Sequence, residues 1–292
     1  MIMDKKKITG ILTELDVLQS VVQTYGEIAS IRMKSTRTSV LSAREFLSAI
    51  QDVFEEVRAN YAKEITKLLK QSSRRTNKGL TLLSHNGKSV AVLLSSNSGL
   101  YGDIVHRTFR VFLEEAKKKN SEITIIGRQG TALFEFYAPD QPYTFFELPD
   151  YGLNQDAILK IMQHIVQYSQ IQLFFGQFEN VLVQKPVVFT LAAELDFSKP
   201  QEIKSKRQYL FEPNLEKILQ FFEKEIFASL FEQSVRESQL AKFASRILAM
   251  DQAMDRIKDQ RTGYILARHA ASHRQSDRKQ LDSLSGILMN VG

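Results

Sequence analysis

The sequence predicts an α/β protein in which two long terminal helices form an antiparallel coiled coil and a Rossmann-like α/β domain is inserted between them. Three observations support this fold class. A heptad pattern runs through residues 8–57, a second one occupies residues 243–271, and strands alternate with helices between the two. We expect three divisions: residues 1–70 as the N-terminal coiled-coil helix, 71–203 as the α/β domain, and 204–292 as the C-terminal coiled-coil helix that pairs with the first.

The N-terminal pattern has alternating steps of three and four residues, and no proline interrupts it. It predicts one helix of about 50 residues, which extends about 75 Å at the rise of an α-helix. A helix of that length needs a partner along much of its surface. The positions of the pattern are Ile8, Ile11, Leu15, Leu18, Val22, Tyr25, Ala29, Arg32, Thr36, Ser39, Ala43, Phe46, Ile50, Val53 and Val57.

The C-terminal pattern repeats the same spacing and supplies that partner. Its positions are Phe243, Ile247, Met250, Met254, Ile257, Arg261, Tyr264, Arg268 and Ala271. Both patterns lose their large apolar residues over residues 32–43 and 261–271, which indicates that these stretches face another surface. We expect the seam between the helices to contain Leu15, Leu18, Val22, Ile247, Met250, Met254 and Ile257.

The middle of the chain predicts a compact α/β domain. Asn86-Gly87 is a strong hairpin signal between two predicted strands. The predicted strands are 80–84, 89–96, 122–127, 143–148 and one or two within 178–191; the predicted helices are 99–119 and 156–171; the predicted linkers are 71–78 and 198–206.

The composition narrows the class of protein. The chain has 292 residues, a formal net charge of +6 and no cysteine, which excludes a disulfide framework, a thiolate metal site and a cysteine nucleophile. No apolar run approaches the ~20 residues that span a bilayer, so we expect a cytoplasmic protein without direct membrane insertion. The basic ends could meet nucleic acid, anionic lipid or an acidic protein, but aromatic residues do not interleave with the charges, which argues against nucleic acid.

Two glycine-bearing segments resemble phosphate-binding loops, at residues 95–102 and 127–130. Neither has the glycine and lysine spacing that such loops need, so we interpret both as turns. His269 and His273 have a spacing that could hold a metal with Asp277, yet the surrounding arginines favour a basic surface that faces a partner. We expect no catalytic residue, no metal site and no cofactor.

Several motifs in order resemble the gamma subunit family of F-type rotary ATP synthases, over essentially the whole chain. The most specific is Leu248-Ala249-Met250-Asp251-Gln252-Ala253-Met254, which is similar to the family's Met-Ala-Met-Asp-Asn-Ala-Thr. The others are Val183-Gln184-Lys185-Pro186, Ile126-Gly127-Arg128-Gln129-Gly130, Phe211-Glu212-Pro213, and Ser96 to Gly102, which stands where the family has Asp-Arg-Gly-Leu-Cys-Gly.

The resemblance implies a non-catalytic central-stalk rotor that couples ion-driven rotation to ATP synthesis or hydrolysis. It implies as partners the alpha and beta subunits of a surrounding hexamer, an epsilon-type subunit and a membrane rotor ring, in a peripheral complex on the cytoplasmic side of the plasma membrane. Arg268 matches the arginine of an Arg-Gln pair that bonds a beta subunit, and His269 replaces the glutamine. The expected hexamer contacts are Arg32, Lys34, Arg261, Arg268, His269 and Arg274.

Alternatives stay open at this point. The altered glycine loop and the basic residues after Arg268 indicate a divergent or alternative-type member, such as a sodium-type complex or an F-like ATPase specialised for ATP-driven work. A coiled-coil scaffold shares the long helices but not the ordered motifs. A nucleotide-binding enzyme would use the loop at residues 95–102.

Overall fold

The structure is a computed structural model that describes residues 5–61, 64–65, 86–119, 121–192, 212 and 214–290. These residues belong to two compact units: Met1–Ser30 with Arg246–Gly292, and Ile31–Ser245. The predicted strand 80–84, the linkers 71–78 and 198–206, and the domain boundaries at 70/71 and 203/204 lie outside the described residues.

The larger unit contains one five-stranded mixed sheet. Its strands are Ser89–Leu94 (β1), Glu122–Ile126 (β2), Thr144–Phe146 (β3), Gln170–Phe178 (β4) and Gln184–Ala192 (β5), in the order β3-β2-β1-β4-β5. The first four strands pair in parallel, and β5 pairs antiparallel with β4 at one edge. Pro186 lies in this edge strand, where a missing backbone N–H is tolerated. The central strand β1 is buried on both faces, as parallel strands usually are.

Helices cover both faces of the sheet. They are Ile104–Lys119 (α2), Arg128–Tyr137 (α3), Gln155–Ile165 (α4) and, from the C-terminal part of the chain, Leu215–Asn290 (α5). Helices α4 and α5 pack on one face, through Ile158, Ile161, Ile165, Phe227, Phe231 and Val235 against Val90, Val92, Ile171 and Leu173. Helices α2 and α3 pack on the other face, through Phe109, Phe112, Ala116 and Phe134 against Ala91, Leu93, Ile123 and Ile125.

The same unit pairs part of the N-terminal helix α1 (Lys5–Asn60) with α5 in antiparallel directions. Phe54 and Phe222 meet with ring centroids 5.7 Å apart, and Arg44 forms an ion pair with Glu237 farther along. The apolar contacts of this pair involve Leu47, Phe54, Val57, Leu219, Phe222 and Ile226. The predicted antiparallel pairing of the terminal helices is therefore present in this unit.

In the smaller unit, the same two helices also run antiparallel. Ile8 and Leu12 pack with Ala271, and Arg261 Nε donates to Asp16 Oδ1 at 2.9 Å. Met250 Cβ lies 3.6 Å from the position that a Cβ on Gly26 would occupy. A small residue at position 26 thus lets the methionine approach α1 closely.

The burial pattern of α1 in the smaller unit differs from the predicted seam at alternate positions. The residues of α1 that are buried or half-buried in this unit are Ile8, Ile11, Leu12, Leu15, Gln19, Val22, Gly26 and Ala29. The predicted positions Ile8, Leu15, Val22 and Ala29 are buried or half-buried, as expected. At two other predicted positions, Leu18 is 50% exposed and Tyr25 is 39% exposed, and the residues that follow them, Gln19 and Gly26, are half-buried instead. Gly26 faces α5 closely, because Met250 comes near α1 at this position. The ring of Tyr25 lies at the edge of the contact, 5.8 Å from the guanidinium carbon of Arg246 on α5. On α5, Met250 and Ile257 are buried, and Ile247 and Met254 are half-buried.

Three predicted elements need correction. Residues 127–130, interpreted as a turn, begin helix α3, and the predicted helix 99–119 begins only at Ile104. Leu100 and Gly102 have φ of 65° and 62°, a conformation that a helix does not contain. The predicted helix 156–171 ends at Ile165, and β4 starts at Gln170, because a short apolar run fits a buried strand as well as a helix.

Candidate functional site

The strongest candidate for a functional site in the larger unit is the junction between helix α5 and the loops at the carboxyl edge of the sheet. Every residue from Glu237 to Ser245 is buried, so α5 is covered on all sides there. Amphipathic surface helices keep one face in water. This segment instead lies inside the unit, where its polar side chains bond to loop backbones.

Two side chains of α5 make those bonds. Gln239 Nε2 donates to the carbonyls of Pro149 and Gly152, at 3.1 and 2.8 Å. Lys242 Nζ donates to the Ser95 carbonyl at 2.7 Å. The helix is thus bonded to two loops, residues 95–102 after β1 and residues 148–152 after β3.

The two loops are also bonded to each other through Asp150. Its Oδ1 accepts from the Asn97 backbone N–H at 2.9 Å, and its Oδ2 accepts from the Ser98 N–H and hydroxyl at 2.8 and 2.7 Å. Burial acts to raise the pKa of Asp150, but the nearby Lys242 ammonium and the bonds from Ser98 and Asn97 outweigh it, so the pKa lies below its ordinary value. The carboxylate therefore stays ionised and holds the loop.

Close backbone approach at glycines completes the junction. A Cβ on Gly102 would lie 2.4 Å from Ser245 Oγ and 2.8 Å from the Ser245 carbonyl oxygen. A Cβ on Gly176 would lie 2.7 Å from Ile104 Cγ1. A side chain at position 102 would push the loop away from α5, and one at position 176 would press on Ile104 of α2.

The start of helix α3 shows how the glycine-bearing loop is used. The Gly127, Arg128 and Gln129 N–H groups donate to Phe146 O, Asn97 Oδ1 and Ser96 O, at 3.0, 3.2 and 2.8 Å. Free N–H groups at a helix start are what bind phosphate. Here the chain's own acceptors occupy them, and the loop residues Ser96 and Asn97 cap the first turn of the helix.

A second polar cluster lies between β2 and α4. His164 Nε2 is 3.0 Å from Thr124 Oγ1, and the rings of Phe146 and Tyr168 flank the imidazole. Burial lowers the pKa of His164, although the Glu122 carboxylate opposes the shift. Burial, together with the hydrogen bond that its hydroxyl donates to Glu122, raises the pKa of Tyr168 to about 12.

We expect the cluster around His164 to make the free energy of unfolding depend on pH below neutrality. Because the folded state binds a proton at His164 only at a lower pH than the unfolded state, the free energy of unfolding should fall as pH drops below about 6.5. His164→Gln should reduce that slope, measured by urea unfolding at pH 7.5, 6.5 and 5.5. The exposed His106→Gln is the matched control; equal slopes in the two variants would contradict the assignment.

The structure places the predicted contact residues in different surroundings. In the larger unit, Arg32 is half-buried, with its guanidinium carbon 5.1 Å from the centre of the Tyr151 ring, and Lys34 is exposed. In the smaller unit, Arg261 is paired with Asp16, Arg268 is half-buried, and His269 and Arg274 are exposed. Within the described residues, no group of acidic or histidine side chains is arranged to hold a metal ion.

Comparison with known proteins identifies the family. A family model described as ATP synthase matches residues 5–277. A curated relative named ATP synthase gamma chain, from Methylococcus capsulatus, is 27% identical over 264 residues, covering 84% of this chain and 92% of the relative. The chain belongs to the ATP synthase gamma-chain family. The gamma chain of Pelotomaculum thermopropionicum is also similar, with 23% identity over 250 residues and 82% and 83% coverage.

Solved structures of the same class share the fold of this chain. A chain in the Tetrahymena thermophila mitochondrial ATP synthase central stalk and c-ring superposes with a TM-score of 0.54 at 18% identity, over 80% of this chain and 99% of that one. A chain of the Euglena gracilis mitochondrial ATP synthase gives 0.54 at 13% identity, over 88% and 93%. The predicted fold class, two long terminal helices with an α/β domain inserted between them, is thus confirmed.

Family membership gives the general function. A gamma chain is the non-catalytic rotor subunit in the central stalk of an F-type ATP synthase, and catalysis resides in the beta subunits. The scaffold alternative is not favoured. Across the described residues, no helix combines the length and apolarity that a membrane crossing requires.

Sequence reasoning missed the junction residues Asn97, Asp150, Gln239 and Lys242. Asp150 and Lys242 are far apart in the chain, and no motif links them. One signal was available: Lys242 is the only charged residue in the segment Ser238-Gln239-Leu240-Ala241-Lys242-Phe243-Ala244-Ser245. A lone lysine among small and apolar residues indicates a buried, partnered charge.

Proposed function

We propose that this chain turns inside a ring of alpha and beta subunits and contacts that ring through Arg32, Lys34, Arg261, Arg268, His269 and Arg274. The proposal rests on the family match over residues 5–277. In this arrangement, ATP synthesis or hydrolysis in the ring is coupled to rotation of this chain. The membrane part of the complex couples the same rotation to ion flow. The division into residues 1–70, 71–203 and 204–292 separates the shaft helices from the α/β domain.

Charge supports the contact proposal most directly for the C-terminal part of α5. His269 and Arg274 are exposed, and so are Arg278 and Lys279 farther along the helix. Exposed cations on one short stretch attract acidic or carbonyl-rich surfaces of a partner. Arg261 contributes less, since Asp16 already accepts from its guanidinium.

The α/β domain, in this proposal, docks an epsilon-type subunit and the membrane rotor ring on the cytoplasmic face of the plasma membrane. The sequence from residue 135 to residue 199 is acidic on balance, whereas both ends of the chain are basic. The two regions therefore suit partners of different charge.

The test of the function is co-expression with the alpha and beta subunits of the same organism. We expect a complex with one copy of this chain per hexamer that hydrolyses ATP, read from its native mass and its ATPase rate. A stable free chain that associates only with itself would sink the proposal.

Arg268→Ala should weaken coupling in the assembled complex. Because Arg268 is half-buried in the C-terminal part of α5, removing its guanidinium is expected to remove a charged hydrogen bond to the ring worth about 1.5–3 kcal/mol. The measurement is ATP-driven ion transport divided by ATP hydrolysis. Arg256→Ala, an exposed arginine of the same helix, is the control. If both variants transport alike, the contact is absent. If Arg268→Ala melts the α/β domain, the residue is structural.

A further inference from the structure

We propose that Lys242 is a positioning residue: its buried charge fixes the loop at residues 95–102 to helix α5, and so sets the torsional stiffness between this helix and the sheet. The proposal rests on the rotor function of the family, in which torque has to pass through the chain. It adds a specific element through which the torque passes.

The surroundings of Lys242 are those of a built site. Its side chain is only 9% exposed, its Nζ donates to Ser95 O at 2.7 Å, and the Asp150 carboxylate lies 4.0 Å away. The ammonium is also 5.9 Å from the centre of the Tyr101 ring. A buried ammonium is costly unless several groups compensate it, so these partners are specifically arranged around the charge.

The loop lies between a cation on the helix and an anion on the neighbouring loop. Lys242 binds its first residue, Ser95, while Asp150 accepts from Asn97 and Ser98. Loss of the lysine charge would leave Asp150 buried without a counter-charge. The loop would then keep its bonds to Asp150 but lose its charged bond to the helix.

Directional bonds add to the resistance to twisting that close packing provides. Phe227, Phe231 and Val235 hold α5 on the sheet, but the hydrophobic attraction itself has no preferred direction. A rotation of α5 by about 10° about its axis moves an atom at a radius of about 6 Å by about 1 Å. A hydrogen bond of 2.7 Å would be stretched beyond its normal range by that motion.

The experiment measures stiffness in the assembled complex. The hexamer is fixed to a surface, and a bead is attached through Lys160→Cys, an exposed position of the α/β domain in a chain without other cysteines. The angular variance of the bead in a nucleotide-stalled complex gives the torsional spring constant. An assembled wild-type complex that rotates is required first, so a failure of the rotor function is seen separately.

Lys242→Met keeps length and apolar packing but removes the charge, and we expect it to raise the angular variance by about twofold, since the helix loses its charged bond to the loop. Lys242→Arg should restore the wild-type variance, and the exposed Lys224→Met should leave it unchanged. Asp150→Asn, which is nearly isosteric, should also raise the angular variance. If Lys242→Met does not assemble, the variance of Asp150→Asn tests the proposal in its place. A lower melting temperature with wild-type variance would show that the residue only stabilises the fold, and would overturn the proposal.

Discussion

Gly127→Ala is expected to destabilise the larger unit by about 2–5 kcal/mol, the combined cost of a strained backbone and an overpacked contact. Gly127 has φ of 106°, a region that residues with a side chain rarely adopt. A Cβ there would lie 2.8–2.9 Å from the backbone N, C and O atoms of Ser96, none of which can move without shifting the loop. Urea unfolding followed by circular dichroism measures the loss.

Two other glycines separate the causes of that effect. Gly152 has φ of 75° but open space around its Cβ position, and Gly99 has open space and no positive φ. Gly152→Ala should therefore cost about 1–2 kcal/mol from the backbone alone, and Gly99→Ala should be close to neutral. Equal losses at Gly127 and Gly99 would refute the contact that we describe between α3 and the loop.

Phe231→Ala is expected to cost about 3–5 kcal/mol, which is typical of a buried aromatic residue truncated to alanine. Phe231 is fully buried on the sheet face that α4 and α5 cover. Removing its ring leaves a cavity between α5 and strands β1 and β4, so α5 should detach more readily from the sheet. The measurement is the urea midpoint, together with hydrogen exchange of the β1 amides.

Phe221→Ala is the matched control on the same helix, because Phe221 is 56% exposed. We expect a change of less than about 1 kcal/mol for this variant. A similar loss in both variants would mean that the helix, and not the contact with the sheet, determines stability.

Much of the fold could be predicted because its signals are local. The heptad spacing gave both long helices, and the alternation of strands and helices gave the domain between them. Helix α3 escaped because its start has no residue that caps from within the helix; Asn97, from another loop, accepts from Arg128 instead. When a residue far away in the chain caps the start of a helix, the sequence next to that helix contains no capping signal.

The seam of α1 was only partly predictable for a different reason. The large apolar residues Leu18, Tyr25 and Phe46 attract a prediction of burial, yet all three are exposed, and the polar Gln19 and the small Gly26 are half-buried. An apolar residue in a heptad pattern indicates burial against the partner helix only where the helix has a single apolar side. A shaft that meets other subunits has apolar residues on a second side as well.

The junction between α5 and the two loops could not be predicted, because its residues are distant in the sequence and come together only in the folded chain. Asn97 and Ser98 stand where the resembling family has Asp-Arg, and each has a clear task here: Asn97 caps α3 and Ser98 donates to Asp150. The motif could show that this loop differs from the family pattern. Only the three-dimensional arrangement shows that the replacements bond to groups of the same chain.

The bond between Lys242 and Ser95 has a consequence for synthesis of the chain, since 147 residues separate its ends. The five strands of the sheet leave the ribosome before Phe227, Phe231 and Val235 of α5, so the part of the sheet face beside α4 that these residues cover stays exposed while the strands assemble. Contacts between distant residues form late, and an uncovered apolar face binds other unfolded chains. We therefore expect the nascent chain to need protection from aggregation until the last helix is synthesised.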